Sequence, residues 1–239
     1  MAGRFYCGTS GWNYKHWKGI FYPNDLPQSN WLEYYSRFFD TVEINNSFYR
    51  LPSKETFETW RRQAPSEFTF AVKASRYLTH MKKLSNPEEP LERILEHSSG
   101  LGEKQGPMLY QLPPYWHVNL ERLESFLKIL PKHLRHVIEF RDSTWHNTEV
   151  FNLLKKYNTA YCIMSAPDLP LHLVTTSDFS YIRMHNGGYD TEVCYTDDAL
   201  AWWAEYISSL LNTGDIYIYF NNDYKGYAVA NALTLKQLL

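Results

Sequence analysis

Short runs rich in β-branched and aromatic residues recur along the whole chain, each followed by a polar cluster and then by a helical pattern. Eight such runs stand at 4–8, 41–45, 69–73, 108–112, 136–141, 160–165, 181–185 and 216–220. Their spacing of roughly 30 residues is typical of βα units, in which a helix carries the chain back to the start of the next parallel strand. The pattern therefore predicts eight parallel strands with helices between them.

Apolar residues at helical spacing fill most of the intervals, as Leu120, Leu123 and Leu127 do after the fourth run. The segment 166–177 is the exception, because it contains two prolines and shows no helical period. Since no linker or change of composition divides the chain, we predict one domain over 1–239. Its expected fold is a (β/α)8 TIM barrel of the α/β class with an irregular sixth unit, and a doubly wound open sheet is the alternative.

Polar and apolar residues alternate within the runs, and this alternation predicts which side chains point into the barrel. In the second run Val42 and Ile44 share one face, which leaves Glu43 and Asn45 on the other. The same reasoning directs six ionisable side chains inward, near the C-terminal strand ends that carry active sites in TIM barrels: Glu43, Lys73, Glu139, Arg141, Arg183 and His185.

Positive charge exceeds negative charge in this predicted cluster, which holds two carboxylates, three cations and a titratable histidine. An excess of cations favours an anionic ligand such as a phosphate or a carboxylate. The alternative is a structural network of salt bridges, because buried charges need partners to offset their desolvation. In such a network Glu139 would pair with Arg141 or Arg183, and Glu43 would pair with Lys73.

Side-chain chemistry suggests roles for the clustered residues. Glu139 is the first choice as general acid or base and His185 the second, since neighbouring charges shift such groups toward neutral pH. Lys73 is either an electrostatic clamp or, if desolvated, a Schiff-base nucleophile, and Glu43 completes the catalytic set. The expected ligand-binding residues have three roles. Arg141 and Arg183 would hold the anion, and Trp12 and Trp145, both just past strand ends, would stack on the ligand. The amides of Asn45, Gln111 and Asn221 would supply neutral donors and acceptors.

Composition narrows the classes of partner. The 239 residues carry 24 Lys+Arg and 26 Asp+Glu, a formal net charge of −2, which argues against coating duplex nucleic acid by net charge alone. Three cysteines without a C-x-x-C pair and histidines without metal-ligand spacing suggest reduced thiols and no metal site, and we expect no cofactor. The sequence contains no apolar run typical of a signal peptide or a membrane span. We therefore expect a cytoplasmic protein that does not contact a membrane.

Several short motifs stand in a fixed order along nearly the whole chain, at 8–12, 42–45, 47–49, 70–73, 111–113, 139–141, 181–185 and 220–222. Together they resemble the YecE-like family, catalogued as domain of unknown function 72, a bacterial and archaeal group. The resemblance implies a TIM-barrel-like fold. It implies no reaction, because none is assigned to the family.

Three functional hypotheses follow from these residues. The leading hypothesis is an enzyme that acts by acid/base chemistry, as a hydrolase or a lyase. Its ligand would be anionic and phosphorylated, and a nucleotide-like compound is one such ligand. The aromatic content of 17% also suits a non-catalytic module that binds single-stranded or distorted DNA by stacking. A third hypothesis is a glycoside-processing barrel that uses Glu43 and Glu139. Strands two and five lie far apart in a barrel, so retaining chemistry is not expected. The oligomeric state is left open.

Overall fold

Eight parallel strands form a nearly closed barrel in the computed structural model, which describes residues 3–167, 169–185 and 194–239. In chain order they are β1 Phe5–Thr9, β2 Thr41–Ile44, β3 Thr69–Lys73, β4 Gln105–Gln111, β5 His136–Glu139, β6 Ala160–Ser165, β7 Phe179–Met184 and β8 Asp215–Phe220. The hydrogen-bonded order is β1-β8-β7-β6-β5-β4-β3-β2, with parallel pairing throughout. The predicted TIM-type barrel is therefore confirmed over the doubly wound alternative.

Helices surround this barrel. The α-helices of the described ranges are α1 Trp31–Tyr35, α2 Asn46–Tyr49, α3 Lys54–Gln63, α4 Glu88–Ser98, α5 Leu120–Ile129, α6 Thr148–Lys156, α7 Asp197–Leu210 and α8 Tyr227–Leu238, and a π-helical turn spans Tyr77–Met81. Four helices begin at a side-chain cap, where Ser53, Asn119, Asn147 or Thr196 accepts a backbone N–H from three residues further on. None of these helices is both long and apolar enough to span a bilayer.

The connection from β6 to β7 departs from the βα pattern. Its described residues, 166–167 and 169–178, contain no helix. Thr176 instead ties this connection to the start of β6, because its hydroxyl donates to the carbonyl of Thr159 and accepts the N–H of Tyr161, both at 2.7 Å. The expected irregular sixth unit is thus confirmed.

The side chains of the strands divide between the barrel interior and the helix-facing layer as the alternation predicts. The interior cluster consists of Ala71, Leu109, Val137, Ala160, Cys162, Met164, Phe179, Tyr181, Tyr217 and Tyr219. Val42, Ile44, Ile138 and Ile182 belong to the separate core between strands and helices. Residues two positions beyond this interior layer therefore project into the open C-terminal end of the barrel, which we call the mouth.

A tyrosine hydroxyl helps to close the barrel between β1 and β2, which share one isolated backbone bridge. The hydroxyl of Tyr35 accepts the N–H of Thr9 at 2.9 Å and donates to the carbonyl of Thr41 at 3.1 Å. The strands can approach this closely because position 8 is glycine, where a Cβ would lie 2.2 Å from the carbonyl oxygen of Thr41.

We expect Tyr35→Phe to lower the free energy of unfolding by about 1–3 kcal/mol, because two buried backbone groups lose their shared partner. Tyr34→Phe, on the same helix with a half-buried ring, is the matched control and should change stability by less than about 0.5 kcal/mol. Urea denaturation of both variants measures the difference. Equal losses in the two variants would contradict a sealing role for the Tyr35 hydroxyl.

Candidate functional site

A buried ion triad forms the floor of the mouth. The guanidinium of Arg183 on β7 donates to Glu139 Oε2 on β5 at 2.6 Å and to Glu43 Oε1 on β2 at 2.8 Å. All three side chains are at most 1% exposed. One cation thus joins two carboxylates from opposite parts of the barrel, and we call this arrangement the Glu43–Arg183–Glu139 triad.

Further donors complete the hydrogen bonding of Glu43. The hydroxyl of Tyr181 donates to Oε2 at 2.6 Å, and the hydroxyl of Ser10 donates to Oε1. Ser10 follows β1, and Tyr181 and Arg183 both lie on β7, so donors from two strands converge on this carboxylate. With donors at both oxygens, Glu43 is held as an acceptor in a water-poor environment.

Glu139 is held in the same way by cations. Its Oε1 accepts the side-chain amide of Gln111 at 2.7 Å and the Nε–H of Arg141. Burial alone would raise the pKa of Glu139, but the guanidiniums of Arg141 and Arg183 outweigh it and hold that pKa well below its ordinary value. Glu139 is therefore ionised at neutral pH. This argues against its expected role as general acid or base and makes it an anchor for the two arginines.

Arg141 and His185 form the next layer toward solvent. Arg141 Nη2 donates to His185 Nε2 at 3.3 Å, and the side-chain amide of Asn221 lies 2.8 Å from Nδ1. Each ring nitrogen of His185 therefore faces an N–H donor, Nη2 of Arg141 at Nε2 and Nδ2 of Asn221 at Nδ1, and a neutral imidazole accepts a hydrogen bond at only one of them. Burial, reinforced by Arg183 and Arg141, lowers the pKa of His185 well below its ordinary value, so its imidazole is neutral at pH 7.

Lys73 ends β3 inside the mouth and is 8% exposed. Its Nζ lies 4.2 Å from the centroid of the Phe48 ring, and in the part of the chain that the structure describes it forms no hydrogen bond or ion pair. Burial, with a further contribution from Arg183, lowers the pKa of Lys73 to about 8. A substantial fraction of this amine is therefore neutral just above physiological pH.

Lys73 is expected to make stability depend on pH in the alkaline range. Because its pKa is lower in the folded state than the ordinary 10.5, the folded protein binds fewer protons between pH 8 and 10.5, and stability rises with pH there. Relative to Lys73→Met, the free energy of unfolding of the wild type should increase by up to about 3 kcal/mol across this window. Denaturant titrations at several pH values measure the difference, and a difference that does not change with pH would contradict the lowered pKa.

Two amide side chains line the mouth beside these charges. Asn45 Nδ2 donates to the hydroxyl of Ser10 at 2.5 Å, and Asn45 Oδ1 has no hydrogen-bond partner among the described residues. Gln111 is half-buried and bound to Glu139. The structure therefore brings nine of the eleven predicted site residues together: Glu43, Lys73, Glu139, Arg141, Arg183, His185, Asn45, Gln111 and Asn221.

The two predicted stacking tryptophans lie elsewhere. Trp145 is fully buried in the helix-facing layer, stacked on Phe140 with ring centroids 4.9 Å apart, and its indole N–H donates to the carbonyl of Trp116. Trp12 packs edge-on against Trp60, also in that layer. Both rings contact protein where a ligand was expected. This corrects the stacking assignment, because closeness to a strand end does not fix the face on which a side chain packs.

Sequence reasoning did not select four residues at the mouth. Ser10 and Tyr181 bind Glu43, and Tyr181 could have been found from its parity with Arg183 on the same strand. Phe48 covers Lys73, and the His80 ring lies 5.0 Å from the Phe48 ring. His80 follows β3 in a π-helical turn that the sequence pattern does not reveal.

His80 is a neutral base at physiological pH. The Thr79 hydroxyl donates to the carbonyl of Ser75 at 3.0 Å and so accepts Nδ1–H of His80, also at 3.0 Å. Nε2 of His80 therefore carries the lone pair. Burial, followed by the charge of Lys73, lowers the pKa of His80 to about 4. Across the described ranges, no three His, Cys, Asp or Glu side chains are placed to hold a metal ion.

Comparisons with known proteins place this geometry in a wider context. The family model described as "Protein of unknown function DUF72" matches residues 6–239. UPF0759 protein YunF of Bacillus subtilis (strain 168) is 23% identical over 273 aligned positions, which cover 98% of this chain and 94% of the relative. UPF0759 protein YecE of Escherichia coli (strain K12) is 28% identical over 137 positions, which cover 57% of this chain and 48% of the relative.

Solved structures show the same barrel. A DUF72 family protein of Thermotoga maritima MSB8 superimposes with a TM-score of 0.89 at 29% identity, over 98% of both chains. A D-psicose 3-epimerase, crystallised in the presence of D-fructose, gives a TM-score of 0.53 at 12% identity, over 90% of this chain and 84% of the epimerase. At that identity the second likeness concerns the fold alone.

Proposed function

Since this chain belongs to the DUF72 family, which is described by its unknown function, we propose a function from the geometry of the mouth. The protein is an enzyme that acts on a small anionic ligand, a phosphate ester or a carboxylate, bound at the C-terminal end of the barrel. Arg141 and Lys73 hold the anion, and the amides of Asn45 and Asn221 orient the remainder of the ligand.

One observation carries this proposal: positive charge remains above a floor whose carboxylates are already paired. Two carboxylates face three cations, and Arg183 is committed to both carboxylates at distances below 3 Å. Arg141 is bound to Glu139 through Nε, but its side chain is 26% exposed at the mouth. An anion from solvent can therefore reach Arg141, and an anion bound there would offset the cost of keeping the neighbouring Lys73 buried and charged.

The proton-transfer roles fall to neutral groups in this proposal. His185 and His80 both have imidazoles that are neutral at pH 7, and Lys73 has a lowered pKa. A group that works as a base near neutral pH must be unprotonated and within reach of the ligand. Glu139 serves instead to orient Arg141.

A thermal-shift screen tests the proposal. Wild type, Arg141→Ala and the matched control Arg37→Ala, an exposed arginine outside the mouth, are compared against phosphorylated sugars, nucleotides, carboxylates and neutral sugars at two salt concentrations. A ligand at about 100 times its Kd adds about 2.7 kcal/mol of stability. We expect an anionic compound to stabilise wild type and Arg37→Ala but not Arg141→Ala. Stabilisation by neutral sugars alone, or the same shift in all three proteins, would contradict the proposal.

The glycoside-processing alternative receives no support from the carboxylates. A glycosidase needs one carboxyl group with a raised pKa as general acid, whereas the arginines keep Glu139 ionised. Glu43 accepts hydrogen bonds on both oxygens and is fully buried.

Nucleic-acid binding is a second candidate, favoured by the rim of the mouth. The segments after β2, β3 and β4, at 45–53, 74–87 and 112–119, contain no aspartate or glutamate. They expose aromatic rings at Tyr49 and Tyr115, which are 82% and 90% exposed. They also carry several cations and a third exposed ring: Arg50, Arg76, Lys82, Lys83 and Tyr77. Cations combined with stacking rings suit a single strand.

Length dependence distinguishes the two candidates. Oligothymidylates of increasing length should bind with rising affinity, a steep salt dependence and a loss on Tyr49→Ser if the rim is a single-strand platform. Tight binding of a mononucleotide without length dependence would favour the enzyme. No binding of either oligothymidylates or mononucleotides would exclude the platform.

We also propose a cytoplasmic location and a single-domain organisation. The location is supported by the cysteines, since Cys7, Cys162 and Cys194 are free thiols and the first two are fully buried. The single-domain proposal is supported by one sheet that runs from Phe5 to Phe220.

A further inference from the structure

Two lysines are buried among the residues that the structure describes, and they differ in their bonding. Lys104 is 7% exposed, and its ammonium donates to the carbonyls of Arg61 and Ala64 at 2.6 and 2.7 Å. Lys73 is equally buried, but within the described ranges its ammonium has no such acceptor. Lys104 is therefore a satisfied structural cation, whereas Lys73 bears an uncompensated desolvation cost at the mouth.

The surroundings of Lys73 weaken its hold on a proton. The nearby cations are Arg183 and Arg141, and the nearby carboxylates, Glu139 and Glu43, are already bound to Arg183. On one side lies the Phe48 ring, which offers its face and no acceptor atom. A lysine that is desolvated and close to other cations is the usual form of an amine nucleophile.

We propose that Lys73 forms a covalent imine with the carbonyl carbon of an anionic aldehyde or ketone, whose phosphate or carboxylate is held by Arg141. This inference rests on the proposed anion site and names the class of its substrate. In the step, the lysine nitrogen bonds to the carbonyl carbon and the carbon–oxygen bond breaks. Both hydrogens that the nitrogen gives up leave with that oxygen as water, so atoms and charge balance: R–NH3⁺ + O=C gives R–NH⁺=C + H2O.

The site fits both ends of this step. The iminium carries the same single positive charge as the ammonium, so the Phe48 face and the paired carboxylates accommodate both. His80, whose ring lies 5.0 Å from the Phe48 ring and whose pKa is lowered by burial and then by the charge of Lys73, would relay a proton from nitrogen to the departing oxygen. Burial with Arg183 lowers the pKa of Lys73 to about 8, so about a quarter of the amine is neutral at pH 7.5, against about 0.1% for an ordinary lysine.

Reductive trapping tests the proposal on the full chain. The protein is incubated at pH 7.5 with sodium cyanoborohydride and one of three probes: dihydroxyacetone phosphate, pyruvate, or neutral dihydroxyacetone. Modified lysines are then mapped by peptide mass spectrometry, with exposed Lys128 as the internal reference. We expect one of the two anionic ketones to label Lys73 at least about tenfold faster than Lys128. Lys73→Arg should reduce total labelling to the level of the exposed lysines.

The outcomes separate this inference from the function on which it rests. Labelling of Lys73 no faster than Lys128 by either anionic ketone overturns the imine, even if anions still stabilise the protein through Arg141. Rapid labelling of Lys73 by dihydroxyacetone and its phosphate alike supports the nucleophile and contradicts the anion site. If Lys73→Arg does not fold, the wild-type map and its Arg141→Ala counterpart still decide, since Arg141→Ala should remove the preference for the phosphorylated ketone.

Discussion

Arg183→Met is expected to lower the free energy of unfolding by about 3–5 kcal/mol, the largest effect of any single change at the mouth. The substitution removes the one cation that joins Glu43 to Glu139 and leaves two buried carboxylates, with Arg141 bound only to Glu139. Methionine matches the volume of arginine well enough that lost charge, more than a cavity, accounts for the change.

Denaturant titration of Arg183→Met measures this loss, and its pH dependence identifies the cause. In wild type the low pKa of Glu139 stabilises the protein above the ordinary glutamate range, and this contribution is lost as the pH falls through the folded-state pKa. In the variant the buried carboxylates favour protonation, so the deficit should shrink on acidification. Glu43→Gln combined with Arg183→Met and Glu139→Gln is the control, and it should recover most of the loss. A deficit that stays constant with pH would contradict the ionic account.

Trp145→Ala is expected to cost about 3–5 kcal/mol of stability and to leave ligand binding unchanged. The indole is fully buried, stacks on Phe140 and donates its N–H to the carbonyl of Trp116. Its removal therefore creates a cavity in the layer between strand and helix, away from the mouth. The control is Trp202→Ala, since that ring is 45% exposed on α7 and should cost less than about 1 kcal/mol.

Two measurements on Trp145→Ala check this expectation: urea denaturation for stability, and the thermal-shift response to whichever anion stabilises wild type. If the folded variant no longer responds to the anion, Trp145 contributes to ligand binding and the expectation is contradicted. A loss of stability alone agrees with its position in the core.

The barrel and the inward direction of the charged side chains were predictable because both depend on local patterns. A strand of period two directs Glu43 and Asn45 to one face whatever lies across the barrel, and the same holds for Glu139 and Arg183. The spacing of the runs then selects a barrel with an irregular unit where prolines interrupt the helical pattern.

Glu139 pairs with Arg141 and Arg183, as the alternation of the strands suggested, whereas the partner of Glu43 was not predictable because it depends on distances across the barrel. The sequence suggested that Glu43 pairs with Lys73, whereas Glu43 is bound to Arg183 and Lys73 lies against Phe48. The longer arginine side chain spans between strands two and five, which sequence separation does not reveal. This difference leaves Lys73 buried without an acceptor among the described residues. The expected proton chemistry moves from Glu139 to neutral groups for a separate reason, since Arg141 and Arg183 hold the pKa of Glu139 well below its ordinary value.

The salt-bridge network and the proposed anion site were alternatives at the level of sequence, and in the structure they would lie at different depths of the same mouth. The Glu43–Arg183–Glu139 triad is closed and self-neutralising at the floor. Arg141, Lys73 and the two neutral histidines lie above it. The ion pairs at the floor also position side chains nearer to solvent, since Glu139, which is fixed by Arg183, orients Arg141.

Anomalous diffraction from crystals soaked in tungstate, a phosphate analogue with a strong scattering signal, tests the anion site most directly. We expect a tungstate peak within hydrogen-bonding distance of Arg141 and Lys73 in wild-type crystals, and no such peak in crystals of Arg141→Ala. Tungstate only at surface lysines, with the mouth empty in wild type, or a mouth peak that persists in Arg141→Ala, would contradict it.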